Sequence, residues 1–220
     1  MRLATTLLAT ILALCAAPAL AQSLEQMAGQ MIIVGFAGDS VDDKGVAAVR
    51  KQVSDGTIGG VMYLKTNVAS RSAVAAMNDA FRKAAPADLP PFITLDQEGG
   101  LGERLGSAVG FKEIPDAETI AAEYTAEQSR SIYEQLPRGV RDWGFHVNFA
   151  PVVDLAVNPN NQVIAKYGRA FGKTADVVSE YVAQVVAAHH DAGLLTSLKH
   201  FPGHGSSTAD SHEGFVDITR

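Results

Sequence analysis

The chain has 220 residues, of which 47% are hydrophobic, and a formal net charge of −6 at pH 7. The apolar fraction is typical of a globular domain. The sequence has no block of basic residues that could follow a phosphate backbone, which disfavours nucleic acid as a partner. We find no repeat, low-complexity tract or linker after Gln22, so the sequence predicts one domain over residues 22–220.

The first 21 residues have the pattern of a secretory signal peptide. Arg2 supplies a positive charge, Leu3–Leu14 is mostly apolar, and Ala19–Ala21 forms an A-x-A cleavage site. The apolar stretch is too short to span a membrane, so we expect no stable membrane anchor after cleavage. The mature protein is therefore expected to begin at Gln22 and to be periplasmic or secreted. Loss of Cys15 would leave no cysteine, which excludes disulfides and thiol catalysis.

Short apolar runs alternate with helical patterns after the signal peptide. The runs predict strands near residues 31, 59, 91, 146 and 194, and the spacing of apolar residues predicts helices over Ser70–Lys83 and Val177–Ala192. His189 and His190 end the second helix, where protonated imidazoles interact favourably with the helix dipole, so we expect them to be structural. The alternation favours an α/β fold with a parallel barrel over a sandwich.

Several predicted strands end in polar residues. They are Gly60–Leu64 with Lys65, Pro91–Leu95 with Asp96, and His146–Val153 with Asp154. Polar groups at the carboxyl ends of parallel strands are where α/β enzymes keep their chemistry. The strand ends therefore predict an active site at one edge of the sheet.

The run after Leu194–Leu198 is the richest in titratable groups. Lys199 begins it, and a cluster of three histidines and one aspartate follows, comprising His200, His204, Asp210 and His212. These four residues are possible zinc ligands. Pro202 and Gly203 interrupt the H-x3-H spacing, so the histidines cannot share one helical face as in a zincin. We therefore expect an active-site loop without a metal or another cofactor.

Four blocks in order resemble glycoside hydrolase family 3, and the last is similar to its bacterial β-N-acetylhexosaminidase branch. The blocks are Asp96–Gly100, Asn148–Asp154, Arg169–Gly172, and Lys199–Gly205 with Asp210–His212. The resemblance implies that residues 22–220 are the N-terminal part of a (β/α)8 TIM-type barrel, incomplete in this chain. It also implies a retaining hydrolase that removes terminal β-N-acetylglucosamine from peptidoglycan or chitin fragments. The expected partner is this small carbohydrate, and the oligomeric state is left open.

The resemblance also implies roles for individual residues. The substrate-binding residues it implies are Asp96, Arg104, Arg169, Lys199 and His200. The catalytic residues it implies are His212, as general acid and base, and Asp210 as its partner. Asp154 is expected to orient Arg169 or the backbone of the loop.

Two departures from the family accompany the resemblance. Leu101 stands where the family usually has arginine, which predicts the loss of a loop contact or an ion pair. The nucleophilic aspartate is expected on the strand after the Asp-Ser-His loop, so the 220-residue chain is expected to be truncated and inactive by itself. The alternatives are a β-glucosidase or phosphorolytic relative, a non-catalytic sugar-binding fragment, and a metallohydrolase.

Overall fold

A computed structural model describes residues 23–217, in which helices and strands alternate. The helices are α1 (Leu24–Gln30), α2 (Lys44–Ser54), α3 (Arg71–Ala84), α4 (Ala117–Glu123), α5 (Ala126–Tyr133), α6 (Gln135–Asp142) and α7 (Ala175–Asp191). The strands are β1 (Ile33–Gly35), β2 (Gly60–Tyr63), β3 (Phe92–Leu95), β4 (Val147–Asn148) and β5 (Leu195–Thr196). The predicted signal peptide lies outside the described residues. Among residues 23–217, no helix combines the length and the apolar character that crossing a membrane requires.

The five strands form one parallel sheet in the order β1-β2-β3-β4-β5. Each strand pairs with the next one along the chain, as in the register Gly60↔Phe92 between β2 and β3. Helical crossovers connect strands that run in the same direction, which is the connection that parallel strands require. The sheet confirms the predicted parallel α/β fold, and the five strands lie at the five predicted places.

Both helices that the sequence predicted are present with small shifts in their ends. Ser70, predicted as the first helical residue, is instead the N-cap of α3, and its Oγ accepts a hydrogen bond of 3.1 Å from the Ala73 amide. The buried face of α3 carries Val74, Met77 and Phe81, all fully buried. The predicted spacing is therefore that of a helix packed on one side against the sheet.

Aromatic rings fill the space between the sheet and the helices. Tyr63 of β2 packs edge-to-face against Phe36 and Phe145, with ring centroids 4.9 and 5.1 Å apart. Its hydroxyl donates a hydrogen bond of 2.7 Å to Oδ1 of Asn78 on α3, so the buried polar tip is satisfied. These contacts fix α3 over the sheet and leave the strand ends free to carry the polar residues.

Strands β4 and β5 are shorter than their apolar runs predicted. Each pairs regularly over only two residues, and Pro151, which has no N–H to donate, follows β4. The segments that follow β4 and β5 stay adjacent through a parallel bridge between Val152 and Lys199. The Val153 amide donates to the Lys199 carbonyl oxygen at 2.6 Å. This bridge brings the residues after β5 beside those after β4.

Candidate active site

The polar residues that follow the strands meet at the carboxyl edge of the sheet. Asp96 follows β3 directly, and Lys199 follows β5. The Lys199 ammonium group donates to Oδ1 of Asp96 at 2.7 Å, although the two residues are 103 positions apart. The expectation that the strand ends converge is therefore correct for this pair.

Two carboxylates and three cations form a continuous cluster around Lys199. Arg104 Nη2 donates to the second oxygen of Asp96 at 2.9 Å. Lys199 Nζ lies 2.6 Å from Oε1 of Glu98, and Arg169 binds Glu98 through two hydrogen bonds of 2.8 Å. The side chain of Glu98 is 9% exposed and that of Lys199 16%. Bidentate pairing with Arg169 both neutralises the charge of the Glu98 carboxylate and fixes its orientation.

Glu98 is a partner that the sequence analysis did not assign to the site. Burial alone would raise its pKa, but the hydrogen bonds and positive charges of Arg169 and Lys199 outweigh burial and hold the pKa below its usual range. A carboxyl group that stays ionised is a poor proton donor. Its signal in the sequence was its position two residues after Asp96, because alternate residues of an extended segment point to the same side.

Gln97 anchors the segment that carries Arg104. Its Oε1 accepts hydrogen bonds of 2.9 Å from the backbone amides of Arg104 and Leu105. The backbone of Gln97 is in turn held by the side chain of Asn148 on β4, through two hydrogen bonds of 2.8 Å. Both side chains are buried. Arg104 therefore reaches Asp96 from a backbone that is fixed to the sheet.

The structure corrects the expectation for His189. This residue is 1% exposed, and burial lowers its pKa to about 4, so its imidazole is neutral near pH 7. Its Nδ1 lies 2.8 Å from the Val185 carbonyl oxygen and its Nε2 lies 3.0 Å from the amide nitrogen of Asn148. His189 is structural as predicted, but it supports Asn148 rather than carrying a charge at the end of α7. His190 is exposed.

Asp154 holds the loop after β5. One oxygen accepts from the backbone amide of His200 at 3.2 Å and from its Nδ1 at 2.6 Å, and the other accepts from the His204 amide at 2.5 Å. Burial opposes ionisation, but these hydrogen bonds lower the pKa of Asp154 below its usual value. Asp154 therefore orients the loop backbone, one of its two expected roles, whereas Arg169 is bound by Glu98.

Tight packing of the loop depends on Gly205 and His204. A Cβ atom at Gly205 would collide with the Leu155 carbonyl oxygen, so only glycine permits this approach. The ring nitrogens of His204 lie 2.8 Å from Oγ of Ser207 and 2.9 Å from Oγ of Ser211. His204 thus links Ser207 and Ser211 within the loop.

The predicted dyad is present at the end of this loop. His212 Nδ1 lies 2.6 Å from Oδ1 of Asp210, and the same oxygen accepts from the His212 backbone amide at 2.9 Å. These two hydrogen bonds lower the pKa of Asp210. The His212 side chain is 79% exposed, so the imidazole is oriented by its partner and still open to solvent.

An open cleft of about 400 Å³ unites most of the predicted site. Six of the seven predicted site residues line it, together with four others. The lining residues are Asp96, Glu98, Leu101, Gly102, Arg104, Tyr167, Arg169, Lys199, His200 and His212. Asp210 lies behind His212 rather than in the lining. The cleft is polar at its floor and combines fixed cations, carboxylates and two imidazoles, of which His212 is the more exposed, and this combination suits a neutral polyhydroxylated ligand.

The described residues do not form the metal site considered from the sequence. Within residues 23–217, no three His, Cys, Asp or Glu side chains lie close enough to hold a metal ion. His200 instead contacts Asp154, and His204 contacts two serines.

Leu101 stands where an arginine was expected, and its surroundings show which charges are present without one. Its side chain is 79% exposed at the cleft, and Arg169 and Lys199 supply the positive charges around Glu98.

Comparison with known proteins gives one consistent relationship. The family model described as "Glycosyl hydrolase family 3 N terminal domain" matches residues 23–220. A β-hexosaminidase of Stenotrophomonas maltophilia is 36% identical over 188 residues, which cover 83% of this chain and 52% of that protein. The chain thus spans about half the length of this curated relative.

Solved structures agree with the sequence comparison. The family 3 β-N-acetylglucosaminidase of a Paenibacillus species is 33% identical with a TM-score of 0.78, covering 87% of this chain and 35% of that one. The β-N-acetylhexosaminidase of Beutenbergia cavernae is 26% identical with a TM-score of 0.74, covering 86% and 56%. The parallel sheet and its helices are therefore shared with both structures.

Proposed function

Because this chain belongs to glycosyl hydrolase family 3, we propose that the full-length protein is an exported β-N-acetylhexosaminidase. It removes terminal β-N-acetylglucosamine residues from peptidoglycan or chitin fragments, with retention of anomeric configuration. The observation that carries this proposal is the pairing of His212 with Asp210 at a cleft whose floor is the Asp96–Lys199–Glu98 cluster. The names of the relatives, β-hexosaminidase and β-N-acetylglucosaminidase, support the choice of sugar.

The floor of the cleft would bind and orient the sugar. Asp96 has a carboxylate that can accept hydrogen bonds from sugar hydroxyls, and Lys199 and Arg104 hold it in one position. His200 contributes its other ring nitrogen, because Asp154 accepts from its Nδ1 and so fixes the ring. Fixed groups of this kind hold the substrate close to its reactive geometry.

His212 would transfer the protons. In the first half-reaction its imidazolium protonates the glycosidic oxygen as the bond to the anomeric carbon breaks, and the carboxylate of Asp210 stabilises the charged form. In the second half-reaction the neutral imidazole accepts a proton from the attacking water. The nucleophile of a retaining enzyme is the one group that this proposal takes from outside residues 23–217.

The sugar specificity can be tested directly. Full-length protein should hydrolyse 4-nitrophenyl N-acetyl-β-glucosaminide far faster than the corresponding glucoside, as measured by 4-nitrophenolate release. Residues 22–220 expressed alone are the matched negative control and should release none, because the proposal places the nucleophile outside them. Equal or faster hydrolysis of the glucoside would favour a β-glucosidase, and hydrolysis by the short form would refute the proposed site.

Export rests on the sequence of the first 21 residues, with Arg2, the apolar run and the Ala19–Ala21 site as its support. We propose that the mature protein begins at Gln22 and lies in the periplasm or outside the cell. Intact-mass measurement of protein recovered from the periplasm or medium should show the loss of Met1–Ala21. Recovery of the unprocessed chain from the cytosol would contradict this proposal.

A further inference from the structure

The lining of the cleft changes from buried to exposed along its depth. The side chains at the floor are 9–16% exposed for Glu98, Asp96, Lys199 and Arg169. His212 is 79% exposed and Leu101 is 79% exposed. A proton donor to the glycosidic oxygen lies beside the bond that is cleaved. The floor therefore receives the terminal sugar, and the exposed end faces the leaving group.

Leu101 and Tyr167 join the cleft to a second, open groove. Both residues line both depressions, and Tyr167 is 40% exposed. An exposed leucine beside an exposed aromatic ring offers an apolar surface of the kind that packs against the face of a pyranose ring. Leu101 is as exposed as His212, so the groove opens from the exposed part of the cleft, which is the part that faces the leaving group.

The second groove is strongly acidic. Its charged lining residues are Glu103, Glu113, Asp116, Glu118 and Glu123, against the single cation Lys166. Burial and the neighbouring charge of Glu113 raise the pKa of Glu103 to about 7, although Lys65 opposes this effect. With five carboxylates against one lysine in its lining, the groove would repel a further anion.

We infer that Leu101, Tyr167 and the acidic groove form a leaving-group subsite for a neutral pyranose, which disfavours a sugar that carries a carboxylate. This inference rests on the proposed function, because it assigns the group that follows the terminal N-acetylglucosamine. It selects a chitin fragment over a muramic acid-containing fragment of peptidoglycan. The groove selects by repelling the carboxylate of the anionic sugar as well as by contacting the neutral pyranose ring.

The first test compares three disaccharides with full-length protein. The neutral disaccharide of two β-1,4-linked N-acetylglucosamines should show a kcat/KM about tenfold above that of N-acetylglucosaminyl-β-1,4-N-acetylmuramic acid at low ionic strength. Methyl esterification of the muramic carboxylate removes its charge while keeping the lactyl group, and should remove most of the difference in kcat/KM. Added salt should narrow the gap, because exposed charges are screened.

The second test assigns the effect to this groove. Glu118→Gln combined with Glu123→Gln should reduce the preference for the neutral disaccharide, whereas Glu180→Gln, an exposed carboxylate on α7 outside both depressions, should leave it unchanged. Tyr167→Ala should lower kcat/KM for the neutral disaccharide about tenfold more than for methyl N-acetyl-β-glucosaminide. Tyr167→Phe should retain the ring contact and most of the activity.

The outcomes separate the inference from the proposed function. Equal hydrolysis of the neutral and anionic disaccharides, or preference for the anionic one, would overturn the inference and leave the hexosaminidase proposal standing. A preference that the glutamate and Tyr167 variants do not alter would overturn the assignment to this groove. Failure to hydrolyse any N-acetylglucosaminide would overturn the proposed function itself.

Discussion

Replacement of His212 by alanine in the full-length protein should lower kcat for a poor leaving group, such as a second sugar, by about 10²–10⁴-fold. The imidazole lies on the exposed side of the cleft with its Nδ1 2.6 Å from Asp210, and its side chain is 79% exposed against 32% for His200, so it is the more accessible of the two imidazoles in the cleft. The loss should be much smaller for 4-nitrophenyl glycosides, because a good leaving group needs little protonation.

Asp210 provides a graded companion to this variant. Asp210→Asn removes the carboxylate that orients the imidazole and replaces it with a neutral amide, so kcat for a poor leaving group should fall. Activity should fall less than in His212→Ala. His190→Ala, at an exposed histidine of α7 outside the cleft, is the matched control and should behave as the unaltered protein.

An unchanged rate for His212→Ala with a poor leaving group would refute the assignment of the acid. Glu98 would be a weak replacement candidate, because Arg169 and Lys199 hold its pKa below the usual range against the effect of burial. Glu213 is exposed at the end of the same loop and would be the next residue to test.

Replacement of Lys199 by methionine should destabilise the protein by about 3 kcal/mol, because two largely buried carboxylates each lose a charged hydrogen-bond donor. Lys199 lies 2.7 Å from Asp96 and 2.6 Å from Glu98, and its side chain is 16% exposed. Arg104 and Arg169 still face the two carboxylates, which keeps the expected loss at the lower end of the range for a buried pair. Urea unfolding of full-length protein at pH 7 measures the change.

Acidification should reduce this deficit. The folded-state pKa of Glu98 lies below its ordinary value of 4.5, so its ionised form stabilises the fold above pH 4.5 and this contribution disappears as pH falls through the folded-state pKa. The difference in unfolding free energy between Lys199→Met and the unaltered protein should therefore be complete at pH 7 and shrink below pH 4.5.

Lys51 supplies the matched control for this experiment. It forms an ion pair of 2.7 Å with Asp55 on the surface of α2, and its side chain is 75% exposed. Lys51→Met should cost less than about 1 kcal/mol, as is usual for an exposed pair. Equal losses for Lys51→Met and Lys199→Met would show that burial of the Asp96–Lys199–Glu98 cluster has no energetic consequence, contrary to the structure.

The positions of the elements could be predicted from the sequence because they depend on local patterns. Five apolar runs became five strands, and apolar spacing placed α3 and α7 within a few residues of their observed ends. The lengths of β4 and β5 could not be predicted, since an apolar run does not show where pairing with a neighbour ends. Regular pairing ends before Pro151, which has no N–H to donate to a sheet. Beyond it the two segments pair again only at the Val152–Lys199 bridge.

The candidate site was predictable as a set of residues and not as a set of contacts. The family resemblance assigned Asp96, Arg169, Lys199 and His212 to the site, and these four residues line one cleft. The role expected for His189 relied on its position at the end of a helix. The structure shows a neutral imidazole instead of a charged one, because burial disfavours the protonated form and lowers the pKa of His189.

Local patterns along the chain were enough to predict the alternation of strands and helices and the polar strand ends, and the family resemblance supplied the dyad. Contacts between distant residues were needed to show that Glu98 binds both Arg169 and Lys199, and that Asp154 binds the loop backbone while Arg169 binds Glu98. Those choices depend on which side chains the parallel strands bring to one edge. Residues 103 positions apart, such as Asp96 and Lys199, meet there because each follows a strand that points the same way.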